Sequence, residues 1–117
     1  MQYASIEEIR IHLRLEPEDI TPDLFTILTQ YKNAALEHIS HLVNGELVEY
    51  PSDIPGEDDP DYKPNKTYMV FNYTMKQCQL MIVEEFFKHR GNADKTLSRP
   101  VSITIENMLL KQRKFNV

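Results

Sequence analysis

The sequence predicts an all-α fold: a small four-helix domain, short–long–long–short, with a long acidic loop between helices 2 and 3. Three observations carry this. Apolar residues recur at helical spacing in four segments, helix-capping residues flank those segments, and no stretch alternates convincingly as a strand. The 117 residues, 41% hydrophobic and 26% charged, correspond to one domain spanning residues 1–117.

Helix 1 is predicted over about residues 5–13. Ser5 followed three residues later by Glu8 reads as a capping box, each side chain satisfying an orphan backbone N–H at the other's end. Ile6, Ile9 and Leu13 then share one face. Glu16-Pro17 stops the helix, because the residue before proline is pushed out of the α region.

Thr21-Pro22 opens helix 2, with threonine as N-cap and proline at the first helical position. Leu24, Leu28, Tyr31, Ala35, Ile39 and Leu42 form a sustained apolar stripe. Asn44-Gly45 suits a left-handed C-cap.

Residues 44–66 change character. They hold four prolines, two glycines and the cluster Glu57-Asp58-Asp59-Pro60-Asp61. Loops of this length inside small domains are usually functional or disordered. Leu47, Val48 and Tyr50 give only a weak strand signal.

Helix 3 is predicted from near Thr67 to His89 or Arg90. Tyr68, Phe71, Met75, Cys78, Ile82 and Phe86 make one stripe; Met69, Tyr73, Leu80, Met81, Val83 and Phe87 widen it almost all round. Such a helix is central, covered by several neighbours or by another subunit. Gly91-Asn92 ends it. Arg99-Pro100 leads to Ser102 or Thr104 as the expected cap of helix 4, whose apolar face is Ile105, Met108 and Leu109. The tail from Lys111 to Val117 is basic.

Charge is unevenly spread. Residues 1–43 hold 3 Lys/Arg against 7 Asp/Glu, residues 44–66 hold 2 against 7, and residues 67–117 hold 8 against 4. The balances are −4, −5 and +4. An acidic front argues against a simple DNA-binding surface, which needs a concentrated basic patch. The chain start has no charged and apolar segments of a secretory signal, and no apolar run approaches a membrane span. A single cysteine, Cys78, excludes an internal disulfide and a cysteine zinc site.

Chemistry-bearing constellations are sparse. Cys78 sits on an apolar stripe, where a thiol behaves as a small hydrophobe. His38 and His41 are spaced to share a metal, but no Glu-x-x-His pair with further carboxylates stands on another helix. The acidic loop lacks the ligand order of an EF-hand. Arg10, His12 and Arg14 on helix 1 are followed by Glu16, Glu18 and Asp19, which phosphates would repel. No catalytic set or nucleotide motif is present, so the residues point to a non-enzymatic interaction protein without a cofactor. A metal-binding or enzymatic all-α bundle and a DNA-binding regulator are the alternatives.

The order of features resembles the head–tail connector (adaptor, or head-completion) proteins of tailed bacteriophages. Ser5-Ile6-Glu7-Glu8-Ile9-Arg10-Ile11-His12-Leu13-Arg14-Leu15 stands where that family has Ser-Leu-Glu-Glu-x-Lys-x-His-Leu-Arg-Ile, with Glu16, Glu18 and Asp19 following. Ala34-Ala35 matches a small-residue pair in the long helix. Phe87-Lys88-His89-Arg90 matches an aromatic-x-x-Arg phrase. Pro100, Leu109-Leu110 and Arg113 match the closing pattern. Arg10 replaces the usual lysine, and the loop is longer and more acidic.

The resemblance implies a structural virion protein without catalysis. It implies a ring of about a dozen copies under the portal, extending the DNA channel in genome packaging and presenting a platform for the next connector, stopper or tail component. The expected location is the head–tail neck, with the host cytoplasm during assembly and no membrane partner. Lys111, Arg113, Lys114, Phe115 and Val117 become the expected portal-docking tail. Glu57, Asp58, Asp59 and Asp61 are expected to line the channel, where negative walls let double-stranded DNA slide.

Overall fold

A computed structural model describes residues 3–63, 67–89 and 98–110. The architecture is mainly α with a small two-stranded sheet. The four α-helices among the described residues are α1 (Ile6–His12), α2 (Pro22–Val43), α3 (Tyr73–Lys88) and α4 (Arg99–Leu109), and the strands are β1 (Glu46–Val48) and β2 (Tyr68–Val70). The sheet corrects the all-α expectation.

The capping box of α1 forms as the sequence dictates: Ser5 Oγ accepts the Glu8 N–H and Glu8 Oε1 accepts the Ser5 N–H, both at 3.1 Å. The helix is capped at Leu13, and the chain turns away at Arg14, a non-glycine residue at φ 60°. The Arg14 N–H reaches the Ile11 carbonyl and the Leu15 N–H reaches that of Arg10, which satisfies the last turn. Helix α2 starts with Thr21 Oγ1 accepting the Leu24 N–H and ends on Asn44 at φ 56°. Both bounds match the sequence reading.

Helix α3 begins later than expected. Tyr68, Met69 and Val70 are extended and pair in parallel with Glu46, Leu47 and Val48. The helix starts after Asn72, whose Oδ1 accepts the Met75 N–H at 3.0 Å. The physical reason is composition: aromatic and β-branched residues suit a half-buried strand, and asparagine is a strong N-cap. Helix α4 begins earlier than expected, at Ser98 rather than Ser102 or Thr104, with Arg99 and Pro100 in its first turn. Proline's fixed φ is pre-organised for that position.

Cross-contacts fix the packing. Glu8 meets Lys76 and His12 meets Glu84, so α1 runs alongside α3 in the same direction. Tyr31 packs on Phe86, ring centroids 5.7 Å apart, and the strand pair ties the end of α2 to the start of α3; these two helices run antiparallel. Ser98 bonds Glu85 and Met108 touches Cys78, so α4 returns antiparallel to α3. The core comprises Ile9, Leu28, Ala35, Ile39 and Val43 against Met75, Cys78, Ile82, Val83 and Ile105. The broad apolar surface of α3 is therefore covered largely by its own chain. Among its wide stripe, Tyr73 remains strongly exposed and Met81 and Phe87 are half-buried.

Candidate interaction surface

The acidic segment is not featureless. After β1 the chain makes a 3-10 turn, Pro51–Asp53, in which Asp53 Oδ2 accepts the Tyr50 N–H at 3.0 Å. Two further turns follow: the Asp59 N–H donates to the Gly56 carbonyl, and the Tyr62 N–H to the Asp59 carbonyl. Asp59 Oδ1 also accepts the Asp61 N–H at 2.9 Å. The loop is pinned to β2 where the Tyr68 hydroxyl accepts the Lys63 N–H at 3.0 Å, beside a stacked pair of Tyr62 and Tyr68 rings.

This folding leaves a shallow groove of about 510 Å³ between the loop and the sheet. Its lining includes Glu46, Asp53, Asp61, Tyr62 and Tyr68. Lys63 is the cation on that wall among the described residues, and its Nζ lies 3.3 Å from Glu46 Oε1. The negative field reaches the N-terminal segment: the Tyr3 phenol is pushed up, first by burial and then by the Glu49 and Asp53 carboxylates. Glu57, Asp58, Asp59 and Asp61 are all exposed, and none forms an ion pair among the described residues. Lys111, Arg113, Lys114, Phe115 and Val117 lie outside the described residues.

A second cleft, of about 360 Å³, separates the ends of α2 and α4. It is lined by His41, Leu42, Glu106, Asn107, Leu109 and Leu110. His38 is nearby, its imidazole held below its usual pKa by burial and then by His41, while Glu106 pulls the other way. Among the described residues, no group of three or more His, Cys, Asp or Glu side chains could hold a metal ion. Cys78 is fully buried, and burial pushes its thiol up to about 11, far from the range of a reactive thiolate.

The third cleft was not anticipated from sequence. His12, Arg14, Glu84, Phe87 and Lys88 meet where α1 and α3 end. Glu84 accepts from both sides, His12 Nε2 at 2.8 Å and Lys88 Nζ at 3.0 Å. Its carboxyl is held low, chiefly by Lys88. The i,i+4 spacing of Glu84 and Lys88 was readable in the sequence; their meeting with His12 depends on the parallel alignment of α1 and α3.

Exposed apolar side chains mark several surfaces. Ile11 and Phe25 lie at one end of the bundle, Tyr50 and Ile54 lie within the acidic segment ahead of Glu57, and Ile103 and Leu110 share a face of α4 two turns apart. No helix among the described residues is long and apolar enough to cross a membrane. No protein-family model, curated protein or solved structure matches the chain.

Proposed function

We propose that this chain is a head–tail connector subunit of a tailed bacteriophage or prophage. Copies form a ring of about a dozen beneath the portal, extend the DNA channel and seat the next connector or tail component. The observation that carries the reading is the opening phrase Ser5–Leu15, followed in order by a long helix, a variable loop, an apolar helix and a short closing helix. A four-helix subunit with an acidic loop between its second and third helices suits that role.

Two features support it. The helical core closes within the chain, so ring contacts fall to exposed apolar positions such as Phe25, Ile103 and Leu110, which can pack against unlike faces of neighbours. The exposed carboxylates of Glu57, Asp58, Asp59 and Asp61, which form no ion pair among the described residues, are available to a channel wall that must not hold phosphate. In this reading the protein works in the virion neck, with the tail from Lys111 to Val117 reaching the portal. Co-expression with the portal protein of the same genome, followed by purification through the portal, tests the proposal. Retention of this chain supports it, and loss during purification contradicts it.

A further inference from the structure

The two ends of α3 carry surfaces of opposite character. The strands that line the acidic groove lead into its first turn, and Glu84, Phe87 and Lys88 of the third cleft stand in its last two turns. The helix has 16 residues, so about 24 Å separates the two surfaces. At the cleft end the cation on offer is Arg14. Arg10 is engaged by Glu7 and lies in the field of Glu16 and Glu18, while His12 and Lys88 share Glu84. Arg14 is exposed and forms no ion pair among the described residues. Its φ of 60° is a conformation that glycine adopts without steric cost, yet a long cation stands there. Strongly exposed Ile11 lies in the last turn of the same helix, α1. The groove at the other end suits this pair. Glu46, Asp53 and Asp61 line it against Lys63, the stacked Tyr62 and Tyr68 rings offer a face to a guanidinium, and exposed Tyr50 and Ile54 lie in the segment that forms it.

The geometry points to a head-to-tail contact between copies of this chain, in which Arg14 of one copy enters the groove of Glu46, Asp53, Asp61 and the tyrosine pair of the next. No side chain spans the length of α3, so Arg14 does not reach the groove of its own chain. The contact joins unlike faces: a copy that gives its Arg14 keeps its own groove open, so copies add in one direction and close where the rotation allows. A ring of a dozen needs about 30° of rotation at each contact, so the joining faces must lie nearly opposite one another, as the two ends of α3 do. Taking this as the ring contact rests on the connector reading. Glu57, Asp58 and Asp59 stay exposed beside the groove for the channel wall. Complementary charge of this kind sets register and rate more than affinity, which suits copies that assemble on a template.

Two full-length chains, each disabled at one end, test this by nuclear magnetic resonance. The isotope-labelled chain carries Arg14→Gly, which suits the left-handed backbone and keeps the groove. The unlabelled chain carries Glu46→Lys and Asp61→Lys, which spoil the groove and keep Arg14. Added up to about 1 mM, the second chain should shift the Asp53, Tyr62 and Tyr68 amide signals of the first, with one partner per chain. Added salt should reverse the shifts. The mixture should not grow past a dimer, because neither chain can extend it. An unlabelled chain that also carries Arg14→Gly should leave the signals in place. Groove signals that stay unmoved overturn the proposal. So do shifts that persist with the chain lacking Arg14, or growth beyond a dimer. The buried Gln79 side-chain amide reports that each variant is folded, and Asp61→Asn replaces the double variant if that signal is lost. Unmoved groove signals overturn this contact whatever a portal binds. A portal that binds no copy refutes the connector reading and leaves the contact to stand on its own signals.

Discussion

Gln79 Oε1 accepts the backbone N–H of Ala4 at 2.9 Å, across 75 positions of chain. The Gln79 side chain is fully buried, and its Nε2 donates to the Lys32 carbonyl of α2 at 3.3 Å. One amide thus joins the segment before α1 to both long helices. Gln79→Ala would leave the Ala4 N–H without its partner and open a cavity. The expected cost is about 3 kcal/mol by urea unfolding. Gln79→Leu, which refills the volume but not the bond, should cost about 1–2 kcal/mol. Equal stability of all three proteins would show that this bond does not anchor the N-terminal segment.

Gly45 is required by close approach rather than by a left-handed conformation. A Cβ there would lie 2.9 Å from the Thr67 carbonyl oxygen and 3.0 Å from Met69 Sδ. The carbonyl belongs to the backbone leading into β2 and accepts the Glu46 N–H at 2.8 Å. Gly45→Ala should therefore force the strands apart, destabilising the fold by about 1–3 kcal/mol. The Phe71 amide, which donates to the Val48 carbonyl, should lose hydrogen-exchange protection first. Unchanged protection would contradict the pairing.

Stability should fall in mild acid through Glu8. Its carboxyl is held below the usual 4.5, first by Lys76, against opposition from burial, with help from Ser5. A carboxylate whose folded value is depressed contributes stability above its unfolded value and loses it as pH falls through the folded one. The window is below about pH 4.5. Lys76→Met should flatten the pH dependence there while leaving the capping box intact. An unaltered acid profile would remove Glu8–Lys76 from the account.

Cys78 should resist alkylation while the protein is folded. With its thiol pushed up to about 11, its thiolate fraction at pH 8 is about two orders of magnitude below that of a free cysteine. Labelling should track global unfolding as denaturant is added. Rapid labelling of the native protein would show that α3 is open to solvent between α2 and α4.

Helices α1 and α2 were legible because their signals are local. Ser5 and Glu8 lie within one turn, and Thr21-Pro22 and Asn44 mark the two ends of an unbroken stripe. The stretch from Tyr68 to Phe71 was not, because four apolar residues extend a helical stripe as well as they fill a strand. What decides between them is a partner at Glu46–Val48, 22 residues away in register. Asn72 was the available local signal, an N-cap inside an expected helix. For α4, Pro100 marked the first turn and not the approach to it.

The candidate surface divides in the same way. Composition exposed the acidic segment, Glu57 to Asp61. It could not reveal a groove, which depends on the Tyr68 hydroxyl holding the Lys63 backbone and on the strand pair beneath. The cleft of His12, Arg14 and Lys88 also requires two helices aligned in the same direction. The reading of α3 as a central helix was sound, but its cover is intramolecular, which moves the expected ring contacts to other faces.

The central claim is attachment to a portal ring in fixed stoichiometry. Light scattering of the portal protein from the same genome, purified with and without this chain, measures it directly. The account predicts a mass gain of about one 13.8 kDa chain per portal subunit, lost when the chain is truncated after Leu110. A portal ring whose mass does not change would contradict it.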